Sequence, residues 1–125
     1  MQKKLARLQN LTNMALDVSL MRLKYIQSQE QDLSNRIRQM EEARRDRTKA
    51  LYETGFADDA CRAGADNLWE SWLQNRTREL NIRRAELRSL QDEVFEETQK
   101  AFSKNQAVEK LAAHTTEQER IRRQR

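Results

Sequence analysis

Apolar residues in the first half of the chain recur at alternating spacings of three and four residues. This alternation places them on one stripe of a helix and is typical of a coiled-coil seam. The register begins at Leu5 and continues through Leu16, Leu23, Ile26, Leu33, Ile37, Met40 and Leu51. Four polar residues also fall on it, and polar seam residues weaken a coiled coil but can fix its register. They are Ser19, Glu30, Arg44 and Arg47. Three further leucines, Leu8, Leu11 and Leu20, lie off this register, so they predict either a wider packing face or a contact surface for another protein.

The second half repeats the pattern, which predicts a second long helix. Its seam register contains Trp69, Leu73, Leu80, Leu87, Leu90, Val94, Ala101, Val108 and Leu111. Charged residues are expected to interrupt it at Arg76, Arg83, Glu97 and Lys104. Phe95 and Phe102, seven residues apart, predict a secondary stripe beside the seam.

The two glycines of the chain lie between these halves and predict the connection. Gly55 suits the end of a helix because glycine readily adopts positive φ, and Asp66 or Asn67 suits an N-cap. Asp58, Asp59 and Ala60 are compatible with a short helical turn in between. We therefore expect an all-α fold, a long antiparallel two-helix coiled-coil hairpin. Helix one covers about 3–53, the hinge about 54–66 and helix two about 67–121, so that each arm is roughly 75 Å long at about 1.5 Å per residue.

Composition supports a single domain of this kind. The chain has 125 residues, 35% charged and 37% hydrophobic, with two glycines and no proline, which suits helices meeting along a narrow seam better than a globular core. A disordered charged chain is disfavoured because the apolar residues are regularly spaced. The net charge of +4 comes from interleaved charges of both signs, so no nucleic-acid partner is expected. No transmembrane segment or signal peptide is expected either.

Candidate chemistry is sparse. The single cysteine, Cys61, fits a reducing cytoplasm and is interpreted as an exposed loop thiol, and the single histidine, His114, as a surface residue. The acidic cluster from Asp92 to Glu97 is interpreted as a solvated helix face rather than a metal site. Because a helical hairpin has no cleft that could desolvate an acid or base, we expect neither catalysis nor a cofactor.

Both tryptophans follow the hinge directly. Trp69 lies on the seam and is expected to close the hairpin near Leu51 or Tyr52. Trp72 lies beside the seam, and its interpretation stays open between packing alone and packing with partner contact. Tyr52 and Phe56 would extend the same aromatic patch.

The hinge and the stretch NLWESWLQNRTREL carry a resemblance, together with the later AFSKNQAVEKL. A hairpin of this length with Trp69, Trp72 and Leu73 opening its second helix, followed by a leucine seam, resembles the FliJ family. Its relatives include the YscO-like proteins of virulence type III secretion. The resemblance covers nearly the whole chain.

The resemblance implies a cytoplasmic coiled-coil stalk of the flagellar protein export ATPase, peripheral to the inner face of the cell membrane. The implied partners are the export ATPase hexamer, the cytoplasmic domain of the export gate, and export chaperones. The surface expected to contact the gate consists of Tyr52, Trp69, Trp72, Asn75 and Glu79. The surface expected to enter the ATPase ring consists of Leu5, Leu8, Leu11, Val108, Leu111, Arg120, Arg122 and Arg123, within the basic tail Arg120 to Arg125. Three alternatives remain: a coiled-coil adaptor or chaperone unrelated to secretion, a nucleic-acid-associated helix pair, and an enzyme.

Overall fold

The computed structural model describes residues 2–55 and 64–125, which form two long helices and no strand. Helix α1 spans Gln2–Thr54 and helix α2 spans Ala65–Gln124. The two helices pack against each other, which confirms the predicted all-α two-helix hairpin. The predictions for Phe56, for residues 58–60 and for Cys61 concern positions outside the described residues.

The glycines mark both helix ends that flank the connection. Gly55 has a φ of 63° and its N–H donates to the carbonyl of Tyr52 at 3.3 Å, which confirms the expected C-terminal cap. Gly64 has a φ of 78°, and its carbonyl accepts from the N–H of Leu68 at 3.3 Å. Gly64 therefore holds the N-cap position of α2, and the expectation of a cap at Asp66 or Asn67 is wrong. Asp66 lies inside the first turn, where a negative charge suits the helix dipole.

The chain forms two compact units, and each helix contributes to both. The terminal unit combines Met1–Gln27 with Leu90–Arg125, and the loop-side unit is Ser28–Ser89. Within each unit the cross-helix contacts descend along α2 as they ascend along α1. Thr12 contacts Asn105 and Ser19 contacts Thr98 in the terminal unit, so the helices there are antiparallel.

The seam of the terminal unit is narrow and partly polar. Ile26, Val94 and Val108 are buried in it, together with Thr98 and Asn105. Each polar residue forms a hydrogen bond with a side chain of α1. The hydroxyl of Thr12 donates to Oδ1 of Asn105 at 2.9 Å, and the hydroxyls of Ser19 and Thr98 lie 2.6 Å apart. These two hydrogen-bonded layers are one heptad apart, so they define how the two helices of this unit align.

In this unit, one of the two seam positions predicted for each heptad of α2 is confirmed and the other is wrong. The positions of Val94, Ala101 and Val108 are confirmed in the seam. The second position of each heptad, however, lies one residue later than expected, at Thr98, Asn105 and Ala112 instead of Glu97, Lys104 and Leu111. The displaced residues are exposed, Leu111 by 50%. The small polar residues are buried because they find hydrogen-bond partners, whereas a buried Glu97 or Lys104 would have to be desolvated.

The seam of the loop-side unit is aliphatic and is flanked by ion pairs. Ile37 of α1 and Leu73, Leu80 and Leu87 of α2 are buried, and all four occupy predicted seam positions. On this unit's α2 the interrupting residue Arg83 is exposed rather than inserted in the seam.

The polar seam residues expected on α1 of this unit all have cross-helix partners. Glu30 accepts from Nε of Arg88 at 3.1 Å, and Arg44 lies 2.6 Å from the carboxylate of Glu70. Arg47 binds Asp66 through two hydrogen bonds. Polar residues on this stripe therefore connect the helices without entering the aliphatic layer.

Candidate interaction surfaces

The expected gate surface lies on the outside of α2 in the loop-side unit. Trp72, Asn75 and Glu79 are exposed and line one shallow groove together with Arg76, as their shared helix side predicts. The groove encloses about 370 Å³. Trp72 is 56% exposed, and Arg76 forms an ion pair with Glu79 at 3.2 Å. The result is an aromatic side chain beside a neutralised pair of charges.

The remaining two residues of that surface differ in exposure. Trp69 is half-buried, whereas Tyr52, in the last turn of α1, is 71% exposed. Trp69 therefore contributes to packing within its unit, while Trp72 projects from it. The two tryptophans occupy different environments although they are only three residues apart.

The first turn of α2 is held against α1 by charge. Arg47 uses Nε and Nη2 to reach the two carboxylate oxygens of Asp66, at 2.6 and 2.8 Å. This bidentate geometry is the strong form of an arginine–carboxylate pair. Both side chains are mostly shielded, at 27% and 18% exposure, so solvent screens this pair less than the exposed pairs elsewhere. It fixes the turn of α2 that precedes Trp69 and Trp72.

A larger groove in the same unit was not predicted. It encloses about 600 Å³, with an apolar lining from Met40, Leu73 and Ile82 and charges at its rim. Ile82 is 56% exposed. The sequence signal was available, because Ile82 is an isolated apolar residue off the seam register.

The expected ring surface falls into two groups. Leu8, Leu11 and Leu111 are exposed, by 44%, 62% and 50%, and can reach a partner. Leu5 is half-buried and Val108 is 9% exposed, because both take part in the seam of the terminal unit. The structure therefore exposes only part of this predicted surface, and Val108 is not available to a partner.

The basic end of α2 is fully on the surface. Arg120 binds the carboxylate of Glu117 through two hydrogen bonds, which raise the pKa of its guanidinium above its ordinary value. Arg122 and Arg123 are exposed, and neither forms an ion pair with another described residue. Near this end, Gln2 of α1 hydrogen-bonds Glu119 of α2. Two arginines in the last turn thus remain available to an acidic surface.

A second apolar stripe on α1 was missed. Leu11, Met14, Val18, Met21 and Tyr25 follow one another at spacings of three, four, three and four, and each is 62–71% exposed. Among these residues only Leu11 was singled out from the sequence. The sequence pattern that could have revealed this stripe is the same alternation of three and four residues that defines the seam of α1, displaced from the seam positions by one or two residues.

Signatures of other chemistry are not found in the part of the chain that the structure describes. No cluster of three or more potential metal-ligating side chains occurs there. No helix among these residues has the length and apolar character required to cross a bilayer. His114 is exposed on α2, as interpreted from the sequence.

Comparison of the chain with models of protein families, with curated proteins and with solved structures gives no match. The functional interpretation therefore depends on the surfaces described above and on the resemblance carried by the tryptophan junction.

Proposed function

We propose that this chain is a non-catalytic coiled-coil stalk of a flagellar (type III) protein export ATPase. In this proposal it acts in the cytoplasm at the inner face of the cell membrane. It stimulates the ATPase ring and links the ring to the export gate and to export chaperones. The FliJ-like junction at Trp69, Trp72 and Leu73 suggests this assignment.

One observation supports the ring contact most strongly. Exposed leucines and available arginines occur together in the terminal unit, namely Leu8, Leu11 and Leu111 with Arg122 and Arg123. A unit that presents both exposed apolar side chains and cations fits a partner surface that is apolar with an acidic rim. Val108 is excluded from this contact because it is buried.

The gate contact is assigned to the loop-side unit. Trp72 is a large exposed aromatic, and exposed aromatics with polar neighbours are frequent energetic centres of interfaces. Asn75 and the Arg76–Glu79 pair supply those neighbours. Tyr52 belongs to the same proposal, whereas half-buried Trp69 has a packing role.

A cytoplasmic coiled-coil adaptor or chaperone unrelated to secretion is the alternative. The same fold and the same exposed apolar residues suit either function. Binding to a hexameric export ATPase discriminates between them, because an unrelated adaptor has no reason to bind one.

The test of the ring contact is stimulation of ATP hydrolysis by a purified flagellar export ATPase. Substituting both Arg122→Glu and Arg123→Glu should lower the stimulation about tenfold at subsaturating concentrations, because two favourable charges become repulsive. The double substitution Arg36→Glu and Arg38→Glu, also at exposed arginines of a helix, is the matched control. Equal stimulation by wild type and the tail variant, or no stimulation by wild type, would contradict the proposal.

The test of the gate contact is a binding titration against the cytoplasmic domain of an export gate. Trp72→Ala should weaken binding by roughly 2 kcal/mol, the size of an interface hot spot, while helicity is retained. Ile82→Ala, an equally exposed apolar residue of the same unit, is the control. If both variants bind like wild type, the gate contact does not involve Trp72.

A further inference from the structure

The exposed stripe on α1 has the geometry of a second coiled-coil seam. We define the outer stripe as Leu11, Met14, Val18, Met21 and Tyr25. Its 3-4-3-4 spacing assigns these residues to alternating a and d positions of two heptads. The helix turns about 100° per residue, so this stripe points away from the inner seam that contacts α2.

This arrangement gives one helix two apolar faces. A surface helix in a two-helix unit buries one apolar stripe and exposes polar residues on the other side. Here the inner seam of α1 is half-buried at Leu16 and Leu23 and buried at Ile26. In contrast, the outer-stripe residues Leu11, Met14, Val18 and Met21 are exposed by 62%, 63%, 64% and 71%. A continuous apolar row of this kind marks an interaction surface rather than scattered surface residues.

The charges beside the outer stripe identify its partner. Asp17 precedes the a position Val18, and Lys24 precedes the a position Tyr25, so both are g positions. In an antiparallel coiled coil g positions of the two helices face each other. When two copies pair with Val18 opposite the partner's Met21, the same register sets Asp17 opposite the partner's Lys24. The twofold axis generates the same attraction a second time, between Lys24 and the partner's Asp17, so the dimer contains two such contacts.

The geometry points to an antiparallel homodimer in which the outer stripes of two copies pack together. In this dimer the layers are Met14 with the partner's Tyr25, and Val18 with the partner's Met21, each occurring twice by symmetry. Asp17 and Lys24 form no ion pair with another described residue of their own chain, so both are available to the second copy. This inference does not depend on the proposed function.

A groove on the same face accommodates the pairing. It encloses about 440 Å³ and is lined by Met14 and Val18 with the small residues Ala15 and Ala101. In the proposed register Ala15 faces the partner's Arg22, so its methyl group leaves space for a long side chain. Arg22 can keep its own pair with Glu97, at 3.2 Å, because both groups are more than half exposed.

The size of the stripe predicts a weak, reversible dimer. The layers contain four side chains from each copy, with Leu11 beyond the last layer, and bury a total on the order of 1,000 Å², the lower end for a specific interface. Measurements therefore need to extend from about 1 μM to several hundred micromolar.

The inference is tested by exchanging the charges at Asp17 and Lys24 and measuring the dimer dissociation constant of the full chain by sedimentation velocity. Asp17→Lys should raise the dimer dissociation constant about tenfold or more, because two attractive contacts become two repulsive ones. Lys24→Asp should have the same effect. The double variant Asp17→Lys, Lys24→Asp exchanges the charges and should return the constant to within about threefold of wild type. Asp92→Lys, an exposed charge reversal on α2 of the same unit, should leave it unchanged.

Every outcome of this experiment is decisive. A chain that stays monomeric throughout the concentration range overturns the inference. Failure of the double variant to recover also overturns it, because a parallel dimer places Asp17 near the partner's Arg22 and would gain nothing from Lys24→Asp. Circular dichroism at low concentration, where all variants are monomeric, verifies that helicity is unchanged.

Discussion

In both units α1 packs against α2, but the side chains at the helix–helix interface differ. The loop-side unit buries leucine and isoleucine and connects its helices with ion pairs, of which Arg47–Asp66 is the most shielded. The terminal unit buries Ile26, Val94 and Val108 with the polar residues Thr98 and Asn105, and it leaves a row of large apolar residues exposed on α1. A helix pair with small seam residues has less apolar area to bury internally, and in this unit apolar area remains on the outside. We therefore expect the aliphatic seam and the shielded ion pair of the loop-side unit to contribute more to the stability of the hairpin than the seam of the terminal unit does.

Truncation of a buried seam residue should give the largest difference in stability loss between the two units. Leu80→Ala in the loop-side seam should cost about 2–5 kcal/mol of unfolding free energy, because the remaining side chains cannot close the cavity. Val94→Ala in the terminal seam removes fewer methyl groups and should cost about half as much. Chemical denaturation followed by circular dichroism measures both. A larger cost for Val94→Ala would reverse the comparison.

The shielded ion pair should give the next largest effect. Arg47→Ala should destabilise the chain by about 1–2 kcal/mol, because it breaks two hydrogen bonds and leaves the Asp66 carboxylate partly buried without its cation. Arg47→Lys keeps the charge but not the bidentate geometry and should recover part of the loss.

In the terminal unit, the counterpart of the Arg47–Asp66 ion pair is the pair Arg22–Glu97, whose side chains are 54% and 59% exposed. Arg22→Ala should change the melting temperature by less than Arg47→Ala, since solvent already screens that pair. Equal losses for the two variants would show that shielding does not distinguish the units.

The polar layer of the terminal unit should have the smallest effect on stability. Asn105→Ala should cost about 1 kcal/mol or less, because the cross-helix hydrogen bond is lost while the hydroxyl of Thr12 keeps the carbonyl of Gln9 as an acceptor at 3.0 Å. Combining Asn105→Leu with Thr12→Val should recover stability or increase it, since an apolar pair replaces a satisfied polar one. Thermal melts decide this prediction, and a double variant less stable than Asn105→Ala would contradict it.

The fold was predictable because the inner seam of α1 repeats over the whole helix. Leu16, Leu23 and Ile37 keep one register although polar residues interrupt it, and Ser19 could be placed on it although it is polar. The α2 register was predictable only in part. Hydrophobicity favours Leu111 over Ala112 and gives no reason to choose Thr98 over Glu97. That choice depends on hydrogen-bond partners on α1, which become visible only when the helices are paired.

The candidate surfaces were predictable to a smaller extent. Trp72 and Asn75 were placed on one side of α2 because helix periodicity alone determines this. Val108 was assigned to a partner surface because the sequence alone does not show whether an apolar residue is buried in the seam or exposed to a partner. The outer stripe was not predicted from the sequence, because Met14 and Met21 are compatible with either a buried or an exposed face of a helix.

Hydrogen exchange measured with and without a flagellar export ATPase tests the central claim most directly. In the free chain, at concentrations where it is monomeric, amides in the helical parts of the loop-side unit, residues 28–54 and 65–89, should exchange more slowly than those of the terminal unit. Adding the ATPase should slow exchange in the terminal unit and leave the loop-side unit unchanged. Faster exchange in the loop-side unit of the free chain, or protection by the ATPase confined to that unit, would contradict the account.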